Sequence, residues 1–161
     1  MIKKFAVLFA LIVMGGCALQ PPITRDYAGP VAVVEESALR TDSGKAAMFF
    51  IRKIDGRRIL NSEIRSLSAS QGRGNNLTIV TKPYDVPAEK HVFTVVGSYV
   101  WAMDGRGLFE ASRAVTGDLE FVPQAGHTYL VKGSLSKQVS TVWVEDKDTG
   151  QIIGKYEKPN P

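Results

Sequence analysis

The chain has 161 residues, a formal net charge of +4, one cysteine and two histidines. A single cysteine excludes an internal disulfide framework, and the length suffices for a domain with a hydrophobic core of its own. The modest positive charge does not predict nucleic-acid binding, which requires a clustered basic face.

The first sixteen residues have the pattern of a secretory signal peptide. Lys3 and Lys4 precede an apolar run over residues 5–14, and two glycines then lead to the single cysteine, Cys17. This apolar run is too short to cross a bilayer as a helix. We therefore predict that residues 1–16 are a removable signal that directs export of the chain.

Residues 14–17, Met-Gly-Gly-Cys, resemble the lipobox of bacterial lipoproteins. The resemblance implies cleavage before Cys17 and acylation of its thiol, so that the lipid holds the chain on a membrane. Ala18 stands where aspartate is typical of lipoproteins kept at the inner membrane, which implies an outer-membrane protein whose domain faces the periplasm. Cleavage would remove two lysines and no acid, which lowers the formal charge from +4 to +2.

Residues 17–30 are expected to form the lipidated cysteine and a flexible tether. The pair Pro21 and Pro22 favours an extended spacer, and no periodic apolar pattern is present in this stretch. The folded domain is therefore predicted to occupy residues 31–161.

From Val31 onward, short β-type runs alternate with turn residues. Runs rich in β-branched and aromatic residues favour strands, and Asp55-Gly56 is a strong hairpin signal. The predicted fold class is mostly β, a single antiparallel β-sandwich of transthyretin-like or immunoglobulin-like type. Strands are predicted at 31–34, 46–52, 57–60, 77–80, 91–96, 117–122, 128–133, 140–145 and 151–154, a helix at 108–115, and loops at 66–76 and 104–107.

Two phrases, residues 86–95 and 121–131, resemble a family of uncharacterised proteobacterial lipoproteins, as does the later stretch 142–150. The family has a small transthyretin-like or PEGA-like β-sandwich, and the resemblance covers roughly residues 46–154. It implies a fold but no activity, so it lends no functional residue. Glu89 stands where such turns usually carry glycine, and it would be strained if that position required a positive φ.

The two histidines, His91 and His127, are the first candidates for chemistry. Each stands where a turn enters a predicted strand, and together they could bind a metal ion if the fold brought them close. Neither belongs to a metal-ligand motif, so we expect each to bond the backbone instead. With no thiol nucleophile and no Gly-x-Ser-x-Gly elbow either, the sequence predicts a protein that is not an enzyme and has no cofactor.

An aromatic stretch is the better candidate for binding. Tyr99 and Trp101 precede a Gly-Arg-Gly loop with Arg106, and Arg73 lies in a second Gly-Arg-Gly sequence. Aromatic rings can stack on sugars, and loop arginines can pair with the acidic groups of cell-wall polymers. The alternative is that the alternating aromatic residues form the buried face of one more strand.

The sequence therefore predicts a non-enzymatic lipoprotein of the cell envelope, with a structural or protein-interaction role. Its expected contact surfaces are loops 65–76 and 99–110 and any exposed sheet edge that can pair with a strand of an envelope protein. The alternatives are a glycan- or peptidoglycan-binding protein and, less favoured by the residues, a metal-binding protein.

Overall fold

The computed structural model describes residues 22–102 and 113–160. These residues are mostly β, with one short helix, as the sequence predicts at the level of fold class. No helix among them is long and apolar enough to cross a membrane. The elements are β1 (Val31–Asp42), β2 (Lys45–Ile54), β3 (Arg57–Arg58), α1 (Ser62–Ser70), β4 (Tyr84–Pro87), β5 (His91–Trp101), β6 (Val115–Phe121), β7 (Thr128–Leu135), β8 (Val139–Asp146) and β9 (Ile152–Pro159).

The strands form one nearly closed sheet in the order β6-β5-β2-β1-β7-β8-β9, with β3 beside β2 and β4 beside β1. The two end strands, β6 and β9, contact each other across the opening. All pairs are antiparallel except β1 and β7, which run parallel. The sheet is therefore not wholly antiparallel. Strand β1 also changes partners along its length: β4 and β7 flank its first half, and β2 pairs with its second half.

Two apolar clusters lie on opposite faces of the sheet. The larger cluster fills the interior, and its largest members include Phe49, Phe93 and Tyr129. The smaller cluster lies on the outer face of β2 and β5, where Phe50 and Leu77 are buried. Both clusters and all the described elements are drawn from residues 22–160, so a chain that begins at residue 22 keeps every described core contact.

Most predicted strands are present and longer than the patterns indicated. The Asp55-Gly56 turn is confirmed: both residues have positive φ, 50° and 77°, as a two-residue hairpin requires. The alternation in β6 is also confirmed, since Leu119 and Phe121 pack against the interior cluster while Asp118 and Glu120 are exposed.

Two local predictions are wrong, and a third lies largely outside the described residues. The predicted loop at 66–76 begins inside helix α1, and the predicted strand at 77–80 is not paired with any described strand. Two of its amides are bonded by helix side chains instead: Thr78 donates to Ser70 Oγ and Val80 to Ser66 Oγ, at 2.8 and 2.9 Å. The predicted helix at 108–115 lies largely outside the described residues, and its last residue begins β6.

Glu89 does not have the strained conformation that a glycine-type turn would impose. Asp55 is the one residue other than glycine with positive φ among the described residues. The turn before β5 therefore tolerates a side chain at this position.

The described part of the predicted tether is folded onto the domain. Ile23 packs against the interior cluster, and the Arg25 and Tyr27 amides donate to the carbonyls of Pro22 and Thr24 at 3.1 Å each. The spacer between Cys17 and the folded domain is therefore shorter than the sequence alone indicates.

Candidate functional site

A cleft opens in the sheet where β1 and β7 separate. The two strands pair only through Val33–Glu36 and Thr128–Val131, although both continue beyond this point. The Ser37 hydroxyl donates to the carbonyl of Val131 at 2.6 Å and closes the ladder at the point of separation. Beyond it, β1 keeps β2 on one side and β7 keeps β8, but no described strand occupies the facing edges.

The cleft is apolar inside and has a charged rim. Its volume is about 280 Å³, and Phe49, Gly133 and Trp143 are among its lining residues. Leu39 lies at its mouth with 67% of its surface exposed, more than any other large apolar residue in the described part of the chain. A single exposed leucine is ordinary, but this one lies beside an apolar recess and two strand edges that no described strand occupies, which makes the cleft the candidate site.

An ion pair fixes the rim. The Lys132 ammonium donates to both carboxylate oxygens of Glu145, at 3.0 and 3.1 Å, and the Trp143 indole N–H also points at this carboxylate. The hydrogen bond from Lys132 lowers the pKa of Glu145 in spite of partial desolvation. The rim therefore stays charged at neutral pH and holds Trp143 in place on the outer face of the sheet.

Each histidine bonds an aspartate, not the backbone that the sequence analysis expected. His91 Nδ1 lies 2.5 Å from Asp55 Oδ2, and His127 Nδ1 lies 2.8 Å from Asp146 Oδ2. Burial would raise the pKa of Asp55, but hydrogen bonds from the Val92 amide and from His91 outweigh it and lower that pKa. The hydrogen bond from His127 likewise lowers the pKa of Asp146. Both pairs tie a hairpin turn to the beginning of a strand.

The structure does not bring His91 and His127 into one metal site. Among the described residues, one group of potential ligands lies together, His127, Asp146 and Asp148, with ligand atoms within 4.8 Å of one another. These carboxylates already accept main-chain amides, since Asp146 accepts from Asp148 and Thr149, and Asp148 accepts from Thr128. The group is a hydrogen-bonded turn, and Gly150 in it has the positive φ, 72°, that such a turn requires.

The aromatic candidates, Tyr99 and Trp101, lie at the end of β5 opposite His91. Tyr99 and Trp101 are half-buried, with ring centroids 6.0 Å apart, and Lys45 Nζ lies over both rings, 4.3 and 5.0 Å from their centroids. Tyr99 packs against the interior cluster, in agreement with the alternation, and its hydroxyl points at the Leu135 carbonyl. The aromatic pair is thus partly covered by Lys45.

The end of the predicted contact loop 65–76 and the described residues 99–102 of the loop 99–110 lie beside the turn between β1 and β2, and residues 103–110 lie outside the described residues. The Ala102 amide donates to the Gly44 carbonyl at 2.9 Å, and the Leu77 amide donates to that of Ser43 at 2.8 Å. Arg73 is exposed in the turn that follows α1, and Arg106 lies outside the described residues. The use of this end as a glycan platform stays a prediction.

Sequence reasoning missed Glu36, a buried carboxylate that joins four elements. It is 6% exposed, and its two oxygens accept the Ile51 amide at 3.0 Å and the Ser62 amide at 2.5 Å. The Tyr84 hydroxyl lies 3.3 Å from the first oxygen. Desolvation by burial raises the pKa of Glu36, although the main-chain hydrogen bonds oppose it.

Comparisons with protein-family models, with curated proteins and with solved structures found no match.

Proposed function

We propose that this protein is a non-enzymatic, lipid-anchored interaction module of the bacterial outer membrane that binds an extended segment of a periplasmic partner protein. The observation that carries the binding role is the cleft between β1 and β7. Residues 14–17 support the anchor and the location.

An extended peptide is the occupant whose chemistry fits the cleft. The facing edges of β1 beyond Ser37 and of β7 beyond Val131 have no strand partner among the described residues, and an added strand supplies the main-chain donors and acceptors that such edges lack. Alternate side chains of an extended peptide point to opposite sides, so one can enter the recess beside Phe49 while the next faces solvent. A sugar can bond single main-chain groups through its hydroxyls, but it cannot continue the regular ladder of either edge.

A photoreactive amino acid at Leu39 is expected to capture a discrete protein partner in cells, because this side chain stands at the mouth of the cleft. The full chain is expressed with its own signal, irradiated, and the crosslinked peptide is located by mass spectrometry. The matched control is the same substitution at Ile152, which is 52% exposed and lies on β9. Contacts of the captured peptide with the 37–41 and 132–135 edges support a strand partner. Identical adducts at both positions, or none at Leu39, contradict the proposal.

The anchor has an independent test. The intact mass of the full chain, purified from membranes, is expected to lack residues 1–16 and to carry added acyl groups, and the protein is expected to sediment with the outer membrane. Cys17→Ser should abolish both the added mass and the cleavage, because no other thiol is present. A soluble, unmodified wild-type protein would show that the anchor assignment is wrong while leaving the cleft proposal intact.

A further inference from the structure

The hairpin formed by β2 and β3 concentrates positive charge at one end of the domain. Its basic residues are Arg52, Lys53, Arg57 and Arg58, and both arginines of β3 are exposed. Lys53 stands directly opposite Arg58 in the register of the two strands. Like charges in opposed positions destabilise a strand pair, so this pairing favours an anionic partner that offsets the repulsion.

Two described acids face these four basic residues. Glu63, at the start of α1, is the acid that faces Arg52 and Arg58. Asp55 faces Arg57 and also bonds His91 and the Val92 amide. Elsewhere at this end, Lys90 pairs with Glu120 at 2.7 Å and Lys147 with Glu35 at 2.9 Å.

The hairpin lies at the end of the domain where the chain enters. The Ala88 amide donates to the Pro30 carbonyl at 2.9 Å, just before β1, and His91, three residues later, bonds Asp55 in the hairpin turn. Ile23 is already docked on the interior cluster. Six residue steps separate it from Cys17, and an extended chain covers at most roughly 22 Å in that distance. A lipid on Cys17 would therefore hold Ile23, and the domain on which it is docked, close to the membrane.

We propose that the hairpin basic surface, defined by Arg52, Lys53, Arg57 and Arg58, lies on the headgroups of anionic phospholipids and orients the domain on the membrane. The occupant follows from charge complementarity and from the short spacer, and the spacer argument rests on the proposed anchor. Leu60 is 39% exposed two residues beyond Arg58 and provides an apolar contact beside the charges. Basic residues next to a membrane attachment point are attracted to anionic lipids in this way.

The test uses residues 22–161 without the lipid, so the result does not depend on acylation. This segment is expected to sediment with vesicles of phosphatidylcholine and phosphatidylglycerol, and not with vesicles of phosphatidylcholine alone. Arg57→Glu combined with Arg58→Glu should weaken binding by at least roughly 25-fold, since the loss of each arginine near such a surface costs about fivefold and the introduced carboxylates add repulsion. Binding should also fall sharply as salt is raised, because the Debye length shortens to about 3 Å at 1 M.

The matched control is Lys137→Glu with Lys158→Glu, which makes the same change in net charge at exposed positions in the 136–138 turn and on β9. The proposal is supported if the control variant still sediments with anionic vesicles and the hairpin variant does not. Thermal unfolding of both variants checks that each is folded. Equal loss in both variants, no sedimentation with anionic vesicles, or binding to soluble polyphosphate alone overturns it. None of these outcomes affects the mass of the full chain, so the anchor is judged separately.

Discussion

Glu36→Ala is expected to lower the free energy of unfolding by about 3 kcal/mol, a large loss for one polar side chain. Its two oxygens accept the amides of Ile51 and Ser62, and both amides would lose their acceptor in a buried environment. An unsatisfied buried donor costs about 1–3 kcal/mol, so two of them exceed the relief from removing a buried charge. Urea unfolding at neutral pH measures the change.

The effect is large because Glu36 stands where the sheet divides. β4 covers the first half of β1 and β2 pairs with the second half, so Ile51 has no ladder partner on β1 and Glu36 supplies one. The same carboxylate accepts from the first residue of α1, where the helix dipole favours a negative charge. Asn61, the N-cap residue, completes the attachment by donating to the Ile51 carbonyl at 3.2 Å.

A matched control and a pH series separate this role from a general charge effect. Glu35→Ala removes the neighbouring carboxylate, whose half-exposed ion pair with Lys147 is worth at most about 1 kcal/mol. Because the pKa of Glu36 is raised on folding, this group stabilises the fold below its ordinary value of 4.5, and that contribution is lost as pH rises through the raised pKa. The destabilisation by Glu36→Gln should therefore be largest near pH 4 and smaller at pH 7. A loss equal to that of Glu35→Ala would contradict the assigned role.

The sequence predicts the parts of this fold that depend on local pattern. Runs such as residues 91–96 and 140–145 are dense in β-branched and aromatic residues, and the Asp55-Gly56 and Gly150 turns follow from residues that tolerate positive φ. These preferences act within a few residues, so the tertiary structure has little influence on them.

Helix α1 is missed because it contains almost no apolar stripe. Its buried positions are Ser62, Ser66 and Ser70, whose spacing is helical but whose side chains are polar. The available signal was Asn61, a strong N-cap residue that accepts the Ile64 amide, with Glu63 in the first turn. The hydroxyls of Ser70 and Ser66 then accept the amides of Thr78 and Val80, so these amides do not enter a strand ladder.

The candidate site depends on contacts that lie far apart in the sequence. The cleft exists because β1 leaves β7 after Glu36, and nothing in residues 35–42 alone marks this change of partner. His91 and Asp55 are separated by 36 residues, and the two aspartate–histidine pairs need the finished sheet to bring them together. A periodicity argument identifies faces and cannot identify such partners.

Gly133→Ala is expected to destabilise the domain by about 2–3 kcal/mol, because the floor of the cleft has no room for a methyl group. A Cβ atom at this position would lie 2.3 Å from the Phe49 ring and 2.4 Å from the Thr141 carbonyl oxygen. The ring has limited freedom, since a Cβ at Gly97 on its other side would already be 2.9 Å away. The Thr141 carbonyl is part of the main chain of β8, so it cannot move without breaking the pairing of β8 with β7. Thermal and urea unfolding of the variant measure the loss.

The neighbouring residue provides the control, since Ser134→Ala on the same strand changes an exposed side chain and should alter stability by no more than about 0.5 kcal/mol. Phe49→Leu in the Gly133→Ala background tests the cause. Removal of the ring should recover part of the loss, with a coupling of at least about 0.5 kcal/mol, because the two residues are in contact. Strictly additive effects would show that the Thr141 backbone alone excludes the methyl group, and that Phe49 does not close the floor of the cleft against β7.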